Sequence, residues 1–597
     1  MEETKKRGIL FKVVFIIVAV AYAAVIELSK NTLVGWLLAA LVLTAFFLIR
    51  PFMMGKKWYV RLCSWIVLAV LLLTVFQLSY PPYKQVPAVS VRDPEVTDVV
   101  TVTEGDLTGV YNGDKSVEVY AGIPFAKPPV GELRWKETEA PEPWEGVRAC
   151  DTFAPKSMQQ ENSTLWDTLV MAYIYNDIHL FNPRDNYREA MSEDSLYLNV
   201  WKPAGDISDA PVLVFIHGGS LKTGNSFYDQ YNGEAYAKRG IVFVSITYRL
   251  NVFGYYANEE LAAESPNGTT GNYGLLDQIQ ALKWVNENIA AFGGDASNIT
   301  IAGESAGASS VNALCVSPLS KGLFRRAVAE SSGIVAHEPY HTFRYMDDAL
   351  AMGQDVMKEF RKNSVAQLRE VPAEKLVKTN YSHDAMTVDG YAITEQPYLT
   401  YERGANHEEA LLSGYNATEA DVFTIMGTDV DAENYSGLIG KYFDGHTSEV
   451  VKLYPVDEKN AKAQYNDVMG GMWFAYSHYT WSRYMAREGR PVYEYYFTKA
   501  NKGLSTNHAG ELPYFYGNLD TMKQNYKDRD YELSDEIMGY IVNFCKNGDP
   551  NGAGLPGWPD FSQDETLVLE LGEDVRMVTD PYLKLYAIID EVQGYGK

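Results

Sequence analysis

Cysteine is scarce in this chain: Cys63, Cys150, Cys315 and Cys545 are the only four in 597 residues. Cys63 sits in an apolar run and the other three are widely spaced. That excludes a disulfide framework of the kind that holds small secreted domains together, and all four are expected to be reduced. Basic residues are scarce beyond residue 92, where 41 Lys and Arg face 74 Asp and Glu for a net charge of −33. So acidic a surface argues against nucleic acid or anionic lipid as partners of that part, and it favours solubility. Internal repeats and low-complexity tracts are missing as well, which excludes a repeat array.

The N-terminus is built differently. Residues 1–92 carry 11 Lys and Arg against 3 Asp and Glu, a net of +8, and hold three apolar stretches at about 9–26, 33–49 and 62–78. Each is 17 or 18 residues long, enough to cross a hydrocarbon core of ~30 Å. Lys12 alone interrupts the first, close enough to its end to snorkel. A signal peptide is the rival reading, because Lys5, Lys6 and Arg7 resemble a charged n-region. Two further apolar spans follow it, however. Buried core helices fit poorly, since almost nothing polar breaks the runs. The expectation is a membrane anchor of three transmembrane helices over 1–80. Arg50, Lys56, Lys57 and Arg61 lie between the second and third spans, whereas the first loop holds only Glu27 and Lys30. The N-terminus and second loop are therefore expected in the cytoplasm, and the chain beyond Tyr80 outside the cell. Tyr80-Pro81-Pro82-Tyr83 breaks the last span, and a linker is expected over 81–96.

Further on, continuous apolar strands alternate with amphipathic helices. Val212–Ile216, Ile241–Thr247 and Ile299–Ala302 read as buried strands, and 271–292 as a helix with Leu275, Leu276, Ile279, Leu282, Val285 and Ile289 on its apolar face. This alternation predicts an α/β fold with a mostly parallel sheet covered on both faces. Chemistry in such sheets sits at the carboxyl ends of strands. At one such end stands Gly303-Glu304-Ser305-Ala306-Gly307, the layout of a nucleophile elbow. A chain of this length would hold a Gly-x-Ser-x-Gly by chance about one time in five, so the pattern needs support. The strand at 212–216 supplies some, ending in His217-Gly218-Gly219-Ser220, where bare backbone amides of an oxyanion loop would lie.

These features, with Tyr120–Gly131, Ser192–Val200, Tyr248–Gly254, Gly271–Gln278, Phe292–Asp295, Asn547–Asn551 and Gly557–Pro559, make the chain resemble the type-B carboxylesterases. These are the cholinesterase-like branch of the α/β-hydrolases. The similarity covers about 500 residues, and it implies a carboxylesterase domain over 97–597 that needs no metal and no cofactor. It also implies a Ser-His-Glu triad in the chain order Ser, acid, His. His508 is chosen among nine histidines because His508–Tyr516 resembles the family's catalytic-histidine loop. Glu419, five residues after Gly414, resembles the family acid, with Asp421 as competitor; the family's usual next residue, glycine, is Ala420 here. Glu304 is expected to be a buried structural carboxylate. The oxyanion hole is expected from Gly218, Gly219 and Ala306.

The implied reaction is hydrolysis of a small-molecule carboxylic ester through an acyl-enzyme. A non-catalytic adhesion or receptor module on this fold and a membrane-tethered lipase are the alternatives. Retention of all three triad residues argues against the first. No large apolar docking face argues for the second, so short or medium esters are expected. In the family a disulfide usually spans positions that match Ser157 and Ser195 here. The aromatic-rich loop between them, with Leu165, Trp166, Tyr173, Tyr175 and Phe181, is expected either as an unstapled, mobile lid or as packing on the domain surface.

Overall fold

The three apolar stretches fold as helices α1 (Glu2–Leu28), α2 (Leu33–Met53) and α3 (Trp58–Leu78) in the computed structural model. It describes residues 2–161, 165, 186–338, 340–424, 427, 429–500 and 506–594. Each helix contains a 21-residue apolar span, about 30 Å at 1.5 Å per residue. Ile16, Ile17, Val20, Leu37, Leu41, Leu48, Val70 and Leu73 all stand exposed on them. Lipid accepts apolar side chains on every side of a helix and water does not, so these helices anchor the chain in a membrane. The α1–α2 turn is clasped to the end of α3: Asn31 Nδ2 donates to Ser79 Oγ at 2.7 Å and to the Phe76 carbonyl at 2.9 Å.

The chain divides into two compact units, 1–85 with 161–190, and 86–160 with 191–597. The stretch expected as a linker over 81–96 is thus split after Gln85, and the excursion at 161–190 falls in the first unit. There Tyr83–Lys84 pairs in parallel with Arg188–Glu189.

The second unit is built on an eleven-stranded sheet. In chain order its strands are β1 (Val110–Tyr111), β2 (Val117–Pro124), β3 (Tyr197–Pro203), β4 (Ala210–Ile216), β5 (Val242–Ile246) and β6 (Gly294–Glu304). They continue with β7 (Arg326–Glu330), β8 (Ala410–Asn416), β9 (Val492–Phe497), β10 (Leu567–Leu571) and β11 (Val575–Thr579). Across the sheet the order is β11-β10-β9-β8-β7-β6-β4-β5-β3-β2-β1. From β10 to β5 every neighbour is parallel, and antiparallel strands close both edges. Strand β4 explains why these segments are apolar without a break. Val212, Val214 and Ile216 pack on one face with Ile279 and Leu282 of α4 (Tyr273–Asn288) and Val311 of α5 (Ala306–Val316). Leu213 and Phe215 point the other way, into a core shared with Leu533, Ile537 and Ile541 of a C-terminal helix (Asp528–Asn547). With both faces covered, each side chain of the strand must be apolar. This is an α/β-hydrolase arrangement.

All four cysteines are unpaired, and Cys150, Cys315 and Cys545 are buried. Ser157 and Ser195 meet where the family resemblance implies a disulfide. Their Oγ atoms are 2.9 Å apart, and Ser157 donates to the Tyr248 carbonyl at 2.7 Å. Ser195 is therefore the donor to Ser157, and a hydrogen bond takes the place of the staple. Of the aromatics between them, Trp166, Tyr173, Tyr175 and Phe181, and with them both readings of that loop, lie outside the described residues. The serine contact yields a test. Ser157→Cys/Ser195→Cys, oxidised, should form the bridge, seen as a mobility shift on a non-reducing gel. Closing a 38-residue separation should stabilise by up to ~4 kcal/mol in the chain-entropy account, raising Tm by several degrees. A pair that stays reduced under mild oxidant would show that the backbones do not approach as described.

Candidate active site

Ser305 stands between β6 and α5 with φ 56° and ψ −124°, a conformation a side-chain-bearing residue adopts only when its surroundings force it. Two features do so. Its amide donates to the Glu330 carbonyl on β7 at 2.8 Å. The next turn is pressed against β4, where a Cβ on Gly307 would lie 2.0 Å from the Ile216 carbonyl oxygen. The serine side chain is left partly exposed at the carboxyl end of the sheet.

The loop after β4 reaches the same place. A Cβ on Gly218 would lie 3.0 Å from the Ser305 Cβ and 2.6 Å from the Glu304 carbonyl, so only glycine fits. Among the described residues neither the Gly218 nor the Gly219 amide has an acceptor, and Ala306 opens α5, where first-turn amides lack an intrahelical partner. These are the three donors named from the sequence. His217 braces the loop. Burial pushes its imidazole down to about 4, so it is neutral, its Nδ1 is 2.8 Å from the Gly218 carbonyl, and its ring stacks on Tyr248 at 4.5 Å.

Two loops bring the acid and the histidine together. The Thr418 amide donates to the Thr506 carbonyl at 3.0 Å, and Asn416 Nδ2 donates to the Asn507 carbonyl at 3.0 Å. His508 Nδ1 then lies 2.6 Å from Glu419 Oε2, while Glu419 Oε1 accepts the Asn416 amide at 2.7 Å. Glu419 is 1% exposed, and both of its oxygens are engaged. Asp421, the competitor, opens a short helix (Asp421–Thr424) and accepts from Asn466 Nδ2 at 2.7 Å.

Other neighbours of His508 escaped sequence reasoning. Nε2 is 3.2 Å from Glu304 Oε1, and among the described residues no hydrogen bond joins it to Ser305 Oγ. Glu304 is buried as expected, yet it faces the histidine directly. Glu511, three residues beyond His508, accepts from Asn416 Nδ2 and, at 3.3 Å, from Ser331 Oγ. Burial alone would push the His508 pKa down. The carboxylates of Glu304, Glu419 and Glu511 outweigh it and raise the pKa to about 9. Burial raises Glu304 to about 7 and Glu511 to about 8, the latter helped by the neighbouring acids. Phe423 and Phe474 complete the surroundings, with ring centroids 5.0 and 4.9 Å from that of His508. Phe474 lies in a π-helical turn (Gly471–Ala475), which no sequence pattern marks. Among the described residues the one group with metal-ligand spacing is His446, Glu449 and Glu591, which shares no residue with this site.

A strained serine, unpartnered amides beside it and a carboxylate-held imidazole together can carry acyl transfer. Comparison with known proteins agrees. The profile of the carboxylesterase family matches residues 96–587. A medium-chain fatty acyl-CoA hydrolase precursor of Anas platyrhynchos is 31% identical over 507 residues, covering 79% of this chain and 88% of its own. Fumonisin B1 esterase of Sphingopyxis macrogoltabida is 31% identical over 495 residues, covering 78% and 86%. The crystal structure of a Geobacillus stearothermophilus carboxylesterase superposes with a TM-score of 0.70 at 31% identity, over 82% of this chain and all of that one. This chain is therefore a carboxylic ester hydrolase and belongs to the carboxylesterase family.

Proposed function

We propose that Ser305, His508 and Glu419 are the catalytic triad of a serine esterase, and that Gly218, Gly219 and Ala306 form its oxyanion hole. The observation that carries this reading is the 2.6 Å contact between His508 Nδ1 and Glu419 Oε2 beside a serine in elbow conformation. Glu419 holds the proton on Nδ1, which leaves Nε2 of the neutral imidazole to accept the Ser305 proton. The alkoxide attacks the ester carbonyl, and the three amides stabilise the oxyanion. His508 returns the proton to the leaving alcohol, and water repeats the cycle on the acyl-enzyme. Neutral esters of short or medium chain suit the site. Phe423 and Phe474 supply apolar surface beside His508, and the acidic domain repels anionic substrates. The basic residues around α1 and α2–α3 support a cytoplasmic N-terminus, with the catalytic domain over 97–597 outside the cell and residues 1–80 as its anchor.

Fluorophosphonate labelling of the full-length protein tests the nucleophile. Ser305→Ala should abolish labelling and lower kcat by ~10⁵ or more, and Glu419→Gln, which keeps the shape, should lower it by about 10⁴. Labelling that persists in Ser305→Ala sinks the proposal.

The pH dependence has a definite sign. His508 serves as base only when neutral, and the surrounding carboxylates favour its charged form. The acid limb of kcat/KM should therefore lie above the ordinary histidine value of ~6.5. Glu304→Gln removes one of those carboxylates and should move the limb down by about one unit, so that activity persists at lower pH. An unmoved limb would mean that Glu304 does not act on His508.

A further inference from the structure

Between α1, α2 and α3 lies a groove of about 650 Å³, outside everything the esterase reaction uses. Two of its lining residues are arginines. Arg50 is in the last turn of α2, just before Pro51, and Arg61 is in the first turn of α3, so both stand at the same end of the bundle. Both are only partly exposed. The Arg50 guanidinium lies over the Phe11 ring at 4.4 Å. Among the described residues neither guanidinium has a hydrogen-bond or ion-pair partner, and the sequence holds no Asp or Glu from Leu28 to Arg92. Arginine at the edge of hydrocarbon is expensive unless an anion or water satisfies its donors.

From that end the walls turn apolar. Val42, Phe46 and Ile49 continue the groove along α2, and Leu68 and Leu71 along α3. From Arg50 back to Val42 the rise is about 12 Å, and from Arg61 on to Leu71 about 15 Å. Half of a ~30 Å hydrocarbon core is the same depth. The groove is therefore one leaflet deep, cationic at the headgroup end and apolar below. Guanidinium forks match phosphate oxygens, and basic pockets between membrane helices suit anionic headgroups.

We propose that this groove binds an anionic phospholipid, its phosphate held by Arg50 and Arg61 and an acyl chain laid along the apolar walls. The site is independent of ester hydrolysis.

The full-length protein, purified in a non-ionic detergent, is equilibrated with mixed micelles of equimolar phosphatidylglycerol and phosphatidylcholine. It is then separated by size exclusion, and the retained lipid is quantified by mass spectrometry. Phosphatidylglycerol should be retained about tenfold to thirtyfold over phosphatidylcholine. Arg50→Gln/Arg61→Gln should erase the preference while hydrolysis of a soluble ester is unchanged. Ala45→Trp fills the groove without altering either arginine and should lose the lipid as well. Inorganic phosphate should not displace it. Equal retention of the two lipids, retention unaltered in both variants, or displacement by inorganic phosphate would each overturn the proposal.

Discussion

The site hangs on one close approach, the contact between the first turn of α5 and the end of β4. Gly307 passes so near Ile216 that a Cβ would lie 2.0 Å from its carbonyl oxygen. That proximity forces the turn at Ser305 and sets the distance from the serine to the loop that leaves β4 with Gly218 and Gly219. The strain at Ser305 persists because β6 is hydrogen-bonded on both sides, to β4 and to β7, and because its amide is committed to the Glu330 carbonyl. A strained backbone survives only where the surroundings over-determine it. Here the surroundings are the buried parallel centre of the sheet, so the stability of the fold and the geometry of the proposed nucleophile are one requirement.

The same register creates an electrostatic problem. Glu304 and Glu330 are Cα partners on β6 and β7, both buried, and the histidine loop adds Glu511 while the acid loop adds Glu419. Four ionised carboxylates around one imidazolium would leave a net charge that a buried site does not tolerate. Burial is the larger influence on three of them. It raises Glu304 and Glu511, and it pushes Glu330 well above the carboxylate range although the Tyr516 hydroxyl donates to it at 2.7 Å. Burial thus favours the neutral form of all three, and Glu419 and His508 are the pair in direct contact. Glu304 lies against His508 Nε2, so the protonation of the two groups is linked.

What the sequence makes legible follows from how local the cause is. The turn at Ser305, the Gly218-Gly219 loop and the buried strands are set by neighbours a few residues apart, and the period of burial writes them into the chain. Strand β6 is longer than its apolar core at 299–302 because Gly294 pairs with Ala210 across a bulge, a partner the segment itself does not name. His508 and Glu419 are distinguished only by resemblance, since no spacing tells one histidine from eight others. Glu304 against His508, Phe474 in its π-helical turn and the contact of Ser157 with Ser195 are tertiary facts. Each depends on which loops meet, and nothing local encodes it.

The first unit reverses that balance. The match to the carboxylesterase family begins at residue 96, so the first unit is read from its own residues. Three helices with apolar residues on all sides follow from composition alone, and loop charge is enough to argue their orientation. Orientation, however, needs only the lysines: Lys56 and Lys57 stand exposed in the α2–α3 turn, where water satisfies them. Arg50 and Arg61 lie inside helices, against a groove whose other walls are apolar. Were they merely topological signals, the loop would be the cheaper place for them. Their position one turn into the bundle, with no acidic partner among the described residues, makes sense if the answering charge comes from the membrane itself.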